Sequence, residues 1–221
     1  MMKYFLMLLI SGLISVDRNS ALNLMISRPI FIAMFIGLLF GNFYTIFLVG
    51  ILFELIGLID LPVGTHIPRD DSFMTYVACL VLTYINVDNV YKLFILITLV
   101  IIFSFPVTFT DLIVRKINQN IYLKNRVKGY NFPISKVISW GVILSFFRGV
   151  IIYNAIFFLV YYIYTQIVSI NIKFSFDKDL NSFLILIICF ASGYLIRFLS
   201  FKSVVKYLIF TLGIIMGWFL I

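Results

Sequence analysis

Residues 50–72 read Gly-Ile-Leu-Phe-Glu-Leu-Ile-Gly-Leu-Ile-Asp-Leu-Pro-Val-Gly-Thr-His-Ile-Pro-Arg-Asp-Asp-Ser. The stretch opens as an apolar segment and carries Glu54 and Asp60. It then breaks at Pro62, Gly64 and Pro68, holds the single histidine, His66, and ends in Arg69-Asp70-Asp71. An ionisable group at membrane depth is costly and marks a pathway or a binding site. Non-helical backbone at that depth is tolerated only where protein or a water-filled cavity surrounds it. The search for function therefore starts here.

The rest of the chain supports a membrane setting. Of its 221 residues 63% are hydrophobic and 12% charged, with mean hydropathy +1.13; a soluble domain is about half apolar and roughly a quarter charged. The reading is all-α: a polytopic integral membrane protein. At about 20 apolar residues per spanning helix there is room for roughly six or seven membrane segments, some of them re-entrant or broken. Apolar stretches run at 4–16, 30–59, 73–87, 91–114, 134–170, 183–199 and 203–221. The first and third are short for a full span. The stretch 30–59 is too long for one straight helix and contains Gly37, Gly41, Gly50 and Gly57. It is expected to fold as helix, tight turn near Gly41-Asn42, and second helix. No soluble stretch is long enough for a separate domain, which excludes an extramembrane enzyme domain. Residues 1–221 are read as one membrane domain: an N-terminal half 1–114, a basic loop 115–136 and a C-terminal half 137–221. Lys3 before an apolar run superficially resembles a signal peptide, but no small-x-small cleavage site follows, so the segment is read as retained.

Arg115, Lys116, Lys124, Arg126, Lys128 and Lys136 occupy 115–136 without an acid among them. The positive-inside rule puts this loop in the cytoplasm, and Ile117 and Ile121 suit an amphipathic helix on the membrane surface. Nucleic-acid binding is disfavoured because the run sits between membrane stretches. Cys79 and Cys189 both lie in apolar runs and read as buried hydrophobes. No cysteine, histidine or carboxylate set has metal-ligand spacing, and no nucleophile–base pair is suggested. No catalytic residue, metal or cofactor is assigned.

Glu54 is the only acid between Ile46 and Ile59, and at depth it must pair, line water or take a proton. Arg28 is a candidate to pair with such an acid and lock the turn into the next helix, with Pro29 tolerated in the first helical turn. Asp17-Arg18 flanks the first apolar segment. Arg148, after Phe146-Phe147 in a long run, is the better candidate for a buried ion-pair partner, and Arg197 for one that snorkels from a helix end. Gly37-x-x-x-Gly41 reads as a packing groove, with internal packing favoured over dimerisation. His66 reads equally as a structural histidine or a ligand contact.

In order and spacing, residues 12–75 resemble the membrane-embedded IIC subunit of mannose/fructose/sorbose-type bacterial phosphotransferase systems. The likeness rests on Asp17-Arg18, Ser27-Arg28-Pro29, Gly37-x-x-x-Gly41-Asn42, Thr45, Gly50, Phe53-Glu54-Leu55, Gly57, Pro62-Val63-Gly64 and Pro68-x-Asp70. Phe105-Pro106 and the closing glycine-containing segment extend it loosely over the remainder. Thr65 stands where the family usually has a second glycine, Arg69 where it has a second proline, and Asp60 is unusual at its place. The resemblance implies a sugar-translocating subunit of the bacterial inner membrane that takes a hexose-type sugar. It also implies a IID membrane partner and soluble IIA and IIB proteins that carry the phosphohistidines. Homo-oligomerisation is left open. On this reading Glu54, Asp70, His66 and Asn42 are expected to meet the sugar, while Asp17, Arg28, Pro62 and Gly64 hold the structure. The rival expectation is a degenerate, non-transporting scaffold or sensor of the same family.

Overall fold

The computed structural model describes residues 2–19, 24–60, 68–85, 87, 89–126, 134–169, 180–195 and 203–220. All regular structure among them is helical. In chain order the helices are α1 (Met2–Asn19), α2 (Pro29–Phe40), α3 (Phe43–Ile59), α4 (Asp71–Tyr84), α5 (Val90–Arg126) and α6 (Ile134–Arg148). A π-helical turn (Gly149–Tyr153) then leads into α7 (Asn154–Ser169), followed by α8 (Leu180–Leu195) and α9 (Ser203–Leu220). The fold is that of a polytopic membrane protein.

The distribution of side chains is inverted relative to a water-soluble bundle. Phe5, Phe35, Phe94, Phe105, Phe109, Phe158, Tyr162 and Tyr207 are exposed, while Asp70, Asp111, Arg148 and Asn154 are buried. Such an apolar exterior has no stable place in water but matches hydrocarbon. The helical stretches Val90–Lys124 and Val137–Ser169 are each long and apolar enough to cross a membrane, and α2 and α3 are shorter apolar helices.

The expected break in 30–59 is present. Gly41 (φ 96°) and Asn42 (φ 56°) both take positive φ, and the Gly41 amide donates to the Gly37 carbonyl. A side chain at Gly41 would be strained by this backbone, which glycine adopts at no steric cost. Gly37 packs on Phe43 of the following helix, so this half of the Gly-x-x-x-Gly pair serves the hairpin. Farther along α3, Gly50 lies so close to Ala33 and the Pro29 carbonyl that no Cβ fits without a shift.

Helix α4 occupies the centre. Every residue from Ser72 to Leu82 is buried, and α2, α3, α5 and α7 all pack on it. Fourteen residues rise only about 21 Å, short of the ~30 Å hydrocarbon layer, and the helix is enclosed by protein on all sides. The first apolar stretch is longer than expected: α1 continues through Asp17-Arg18 to Asn19.

One expectation is corrected. Residues 115–126 are not loop but the continuation of α5. No glycine or proline interrupts Val107–Lys128, and Ile117 and Ile121 keep the helical spacing, so nothing in the sequence ends the helix there. At 37 residues it is about 55 Å long, well beyond one hydrocarbon thickness. Pro106 lies within it; a proline is tolerated in membrane helices where neighbours satisfy the freed backbone.

The packing at Gly50 yields a test. Gly50→Leu should lower the stability of the purified protein in detergent by about 1–3 kcal/mol through overpacking, read as a drop in thermal midpoint. Gly213→Ala should not lower the midpoint, because the space around Gly213 is open and alanine is the better helix former.

Candidate functional site

Four segments bring charge to the N-terminal end of α4. Asp70 caps this helix: its Oδ1 accepts from the Phe73 amide at 2.9 Å, satisfying one of the free donors of the first turn. The same oxygen lies 3.5 Å from Arg18 Nε of α1. Its Oδ2 accepts from Tyr153 Oη at 2.7 Å and from Arg148 Nη2 at 3.2 Å. The Asp70 side chain is fully buried, and its own amide donates to Thr108 Oγ1 of α5 at 3.3 Å.

Arg148 is the second hub. Besides Asp70, its Nη1 lies 2.8 Å from Asp111 Oδ1, its Nε donates to Thr110 Oγ1 at 2.9 Å, and its Nη2 donates to the Val107 carbonyl at 3.1 Å. Arg18 pairs with Asp71, and donates to Ser72 Oγ at 3.1 Å and to the Arg69 carbonyl at 3.0 Å. Asn19 Nδ2 donates to Asp111 Oδ1 at 2.6 Å. Two guanidinium groups thus face the carboxylates of Asp70, Asp71 and Asp111. Each buried charge is both paired and hydrogen-bonded, which is the condition for carrying it out of water.

Local helix geometry allows this convergence. Arg148 and Tyr153 are five residues apart, which on a regular α-helix places them about 140° apart around the axis. The i→i+5 pattern of the π-helical turn is wider, and both side chains reach the same carboxylate oxygen. Close approach to α1 adds to this: a Cβ on Gly149 would collide with the Ser11 carbonyl and Ser15 Cβ.

A second, more accessible pair lies on the hairpin. Arg28 Nη1 is 3.3 Å from Glu54 Oε1, with the Arg28 side chain half-exposed, and the Ile30 amide approaches Glu54 Oε2 at 3.5 Å. Asp17 accepts from the amides of Leu24 and Ser27 at 2.6 and 2.8 Å, so it ties the chain entering α2 back onto α1. Gly57, one turn beyond Glu54, packs directly on the Asp71 carboxylate, which links this pair to the buried knot. Asp60 Oδ2 receives both the Arg69 amide (3.0 Å) and Arg69 Nε (3.2 Å).

The expected residues are thus divided. Glu54, Arg28 and Asp17 lie in the hairpin region with the contacts described. Asp70 is closed to solvent and its oxygens are occupied, so in this conformation it does not present a free acceptor. Asn42 is not brought to the others: it begins α3, and fifteen helical residues, roughly 22 Å, separate it from Gly57. His66, Pro62, Gly64 and Thr65 lie outside the described residues, as does Arg197. Asp111, Asp71 and Tyr153 were not singled out from the sequence. A signal existed for Asp111, the only acid from Val90 to Arg126. Arg115-Lys116 follow it about one turn on, so charge placement alone does not separate it from an interfacial group. Nothing in the sequence marked Tyr153.

The two ion pairs should respond differently to mutation. Arg148→Met leaves the buried carboxylates of Asp70 and Asp111 to share the single cation Arg18 and should cost about 3–5 kcal/mol. Arg28→Met, which removes a half-exposed cation, should cost less, about 0–1 kcal/mol. Thermal unfolding of both variants in detergent measures the contrast.

No individual curated protein matches the chain. The family model for the PTS system sorbose-specific IIC component matches residues 1–210. Because this match covers nearly the whole length of a helical membrane chain, the chain belongs to the sorbose-specific IIC family, the membrane transport components of sugar phosphotransferase systems.

Proposed function

We propose that this chain binds a hexose-type sugar and passes it across the bacterial cytoplasmic membrane, as a multi-pass subunit working with a IID membrane partner. Phosphoryl transfer takes place on separate IIA and IIB proteins. The observation that carries the reading is Glu54: a carboxylate in an apolar helix, partly accessible, and held by a half-exposed arginine. A carboxylate accepts hydrogen bonds from sugar hydroxyls, and a guanidinium donates to their oxygens. The pair offers both functions at one place.

Within this proposal Asp70 is the buried anchor that fixes the start of α4 and Arg18 behind the pair, and contact with sugar falls to Glu54 and Arg28. His66 stays a candidate contact because imidazole both donates and accepts. Asn42 is assigned to the hairpin turn and left out of the sugar site. The basic end of α5 faces the cytoplasm, where soluble phosphocarriers would meet it.

The rival, a decayed scaffold or sensor, drew its support from the departures at Thr65 and Arg69. Thr65 lies outside the described residues. Arg69 bonds to Asp60, itself unusual at its place, and decay gives no reason for those two to compensate, which favours a working subunit.

Phosphoenolpyruvate-dependent sugar uptake into vesicles carrying the complete system tests the proposal. Glu54→Gln should reduce uptake at least about tenfold, the loss expected when a charge-assisted hydrogen bond becomes a neutral one, while membrane insertion persists. Uptake by Glu54→Gln at the wild-type rate would remove this carboxylate from the pathway.

A further inference from the structure

The π-helical turn Gly149–Tyr153 interrupts a helical stretch that otherwise runs from Val137 to Ser169. Such a turn is one residue too wide for the α-helical ladder, and turns of this kind concentrate at functional positions. What holds it here is visible in the hydrogen bonds. The Asn154 amide donates to the Ile151 carbonyl, not to the Val150 carbonyl four residues back that an α-helix would use. The Val150 carbonyl is met instead by Asn154 Nδ2 at 2.8 Å. The Asn154 side chain thus substitutes for its own backbone. It is fixed in turn by Tyr76 Oη, which donates to Oδ1 at 2.9 Å, and by donation from Nδ2 to Ser11 Oγ at 2.8 Å.

The two ends of the turn are pinned as well. Arg148 before it and Tyr153 at its end both bond Asp70 Oδ2. An extra residue in a helix can be accommodated at a neighbouring turn just as well, and a residue it passes rotates by about 100° about the helix axis. Moving the wide turn by even one position therefore takes either Arg148 or Tyr153 off Asp70. Position of the turn and occupancy of Asp70 are coupled.

We propose that Gly149–Tyr153 is a two-position conformational switch, latched by Asp70 through Arg148 and Tyr153 and by Asn154 over the Val150 carbonyl. Release of the latch moves the wide turn and rotates part of the α6–α7 helix against α1 and α4. The proposal rests on the transport reading only for its purpose: the rotation would be one of the rearrangements a transport subunit makes between binding and release. An element with two discrete arrangements, biased by a buried contact, is what such coupling requires.

Amide hydrogen exchange on the full chain in lipid nanodiscs tests the latch without reference to sugar. Tyr153→Phe should speed exchange at residues 149–154 by about tenfold, as expected for loss of one buried hydrogen bond, and Asn154→Ala, which removes three, by at least as much, with the distal part of α7 unchanged. No change, or a uniform rise through the bundle, would overturn the switch. Deletion of Ile151, whose side chain is exposed, restores an α-helix with Arg148 and Tyr153 four apart and on one face, so the Asp70 contacts survive while the second position does not. This variant should bind sugar yet lose uptake at least about tenfold. Wild-type uptake would overturn the role in transport. If the unaltered protein neither binds nor moves sugar, the transport reading fails, and the exchange results alone decide whether the latch exists.

Discussion

Asp70 is the residue on which the rest of the structure depends. Its carboxylate caps α4, meets Arg18 from α1, and receives Arg148 and Tyr153 from the two ends of the π-helical turn. Its amide reaches α5. A buried carboxylate is tolerated only when paired and fully hydrogen-bonded. Every element that supplies a partner is therefore constrained in position. The short central helix, the close crossing of α1 and the helix after Arg148, and the wide turn itself can be read as conditions for keeping this one charge in the interior.

The same logic explains the accessible pair. Arg28 and Glu54 sit on neighbouring arms of a hairpin whose turn requires positive φ at two residues and whose arms meet through Gly50. The hairpin places Gly57 on Asp71, so the partly exposed pair is braced by the buried knot. Charges that can exchange with water or a hydroxylated ligand lie beside charges that cannot. On the proposed transport function the first set is the one assigned to recognition and the second to rigidity, a division suited to a site that must hold its shape while a polar solute enters an apolar layer.

Some of this was legible in the residues. Glu54 stands out as a lone acid in an apolar run, Arg148 as the one cation between Val137 and Ile170, and Gly41-Asn42 as a turn inside an overlong stretch. Each signal is local: a costly charge, or a backbone that needs glycine. In the basic segment composition suggests a loop while Ile117 and Ile121 keep helical spacing; helix termination needs a breaker, residues 115–126 contain none, and the helix continues through them. Asn42 was grouped with Glu54 by motif, although the rise of α3 keeps the two ends apart.

By itself the sequence determined the membrane setting, the all-helical class, the hairpin and the family, because hydropathy, glycine placement and motif order are properties of neighbours along the chain. Only the tertiary structure decided that Asp70 is an anchor, that Asp111 and Tyr153 belong with it, and that Asp60 and Arg69 form a pair. The physical reason is distance in sequence. Arg148 meets Asp70 across 78 positions and Tyr153 across 83, and the five-residue offset between them is reconciled only by a π-helical turn. Which charge neutralises which is settled where helices cross, and no pattern within a single helix contains that information.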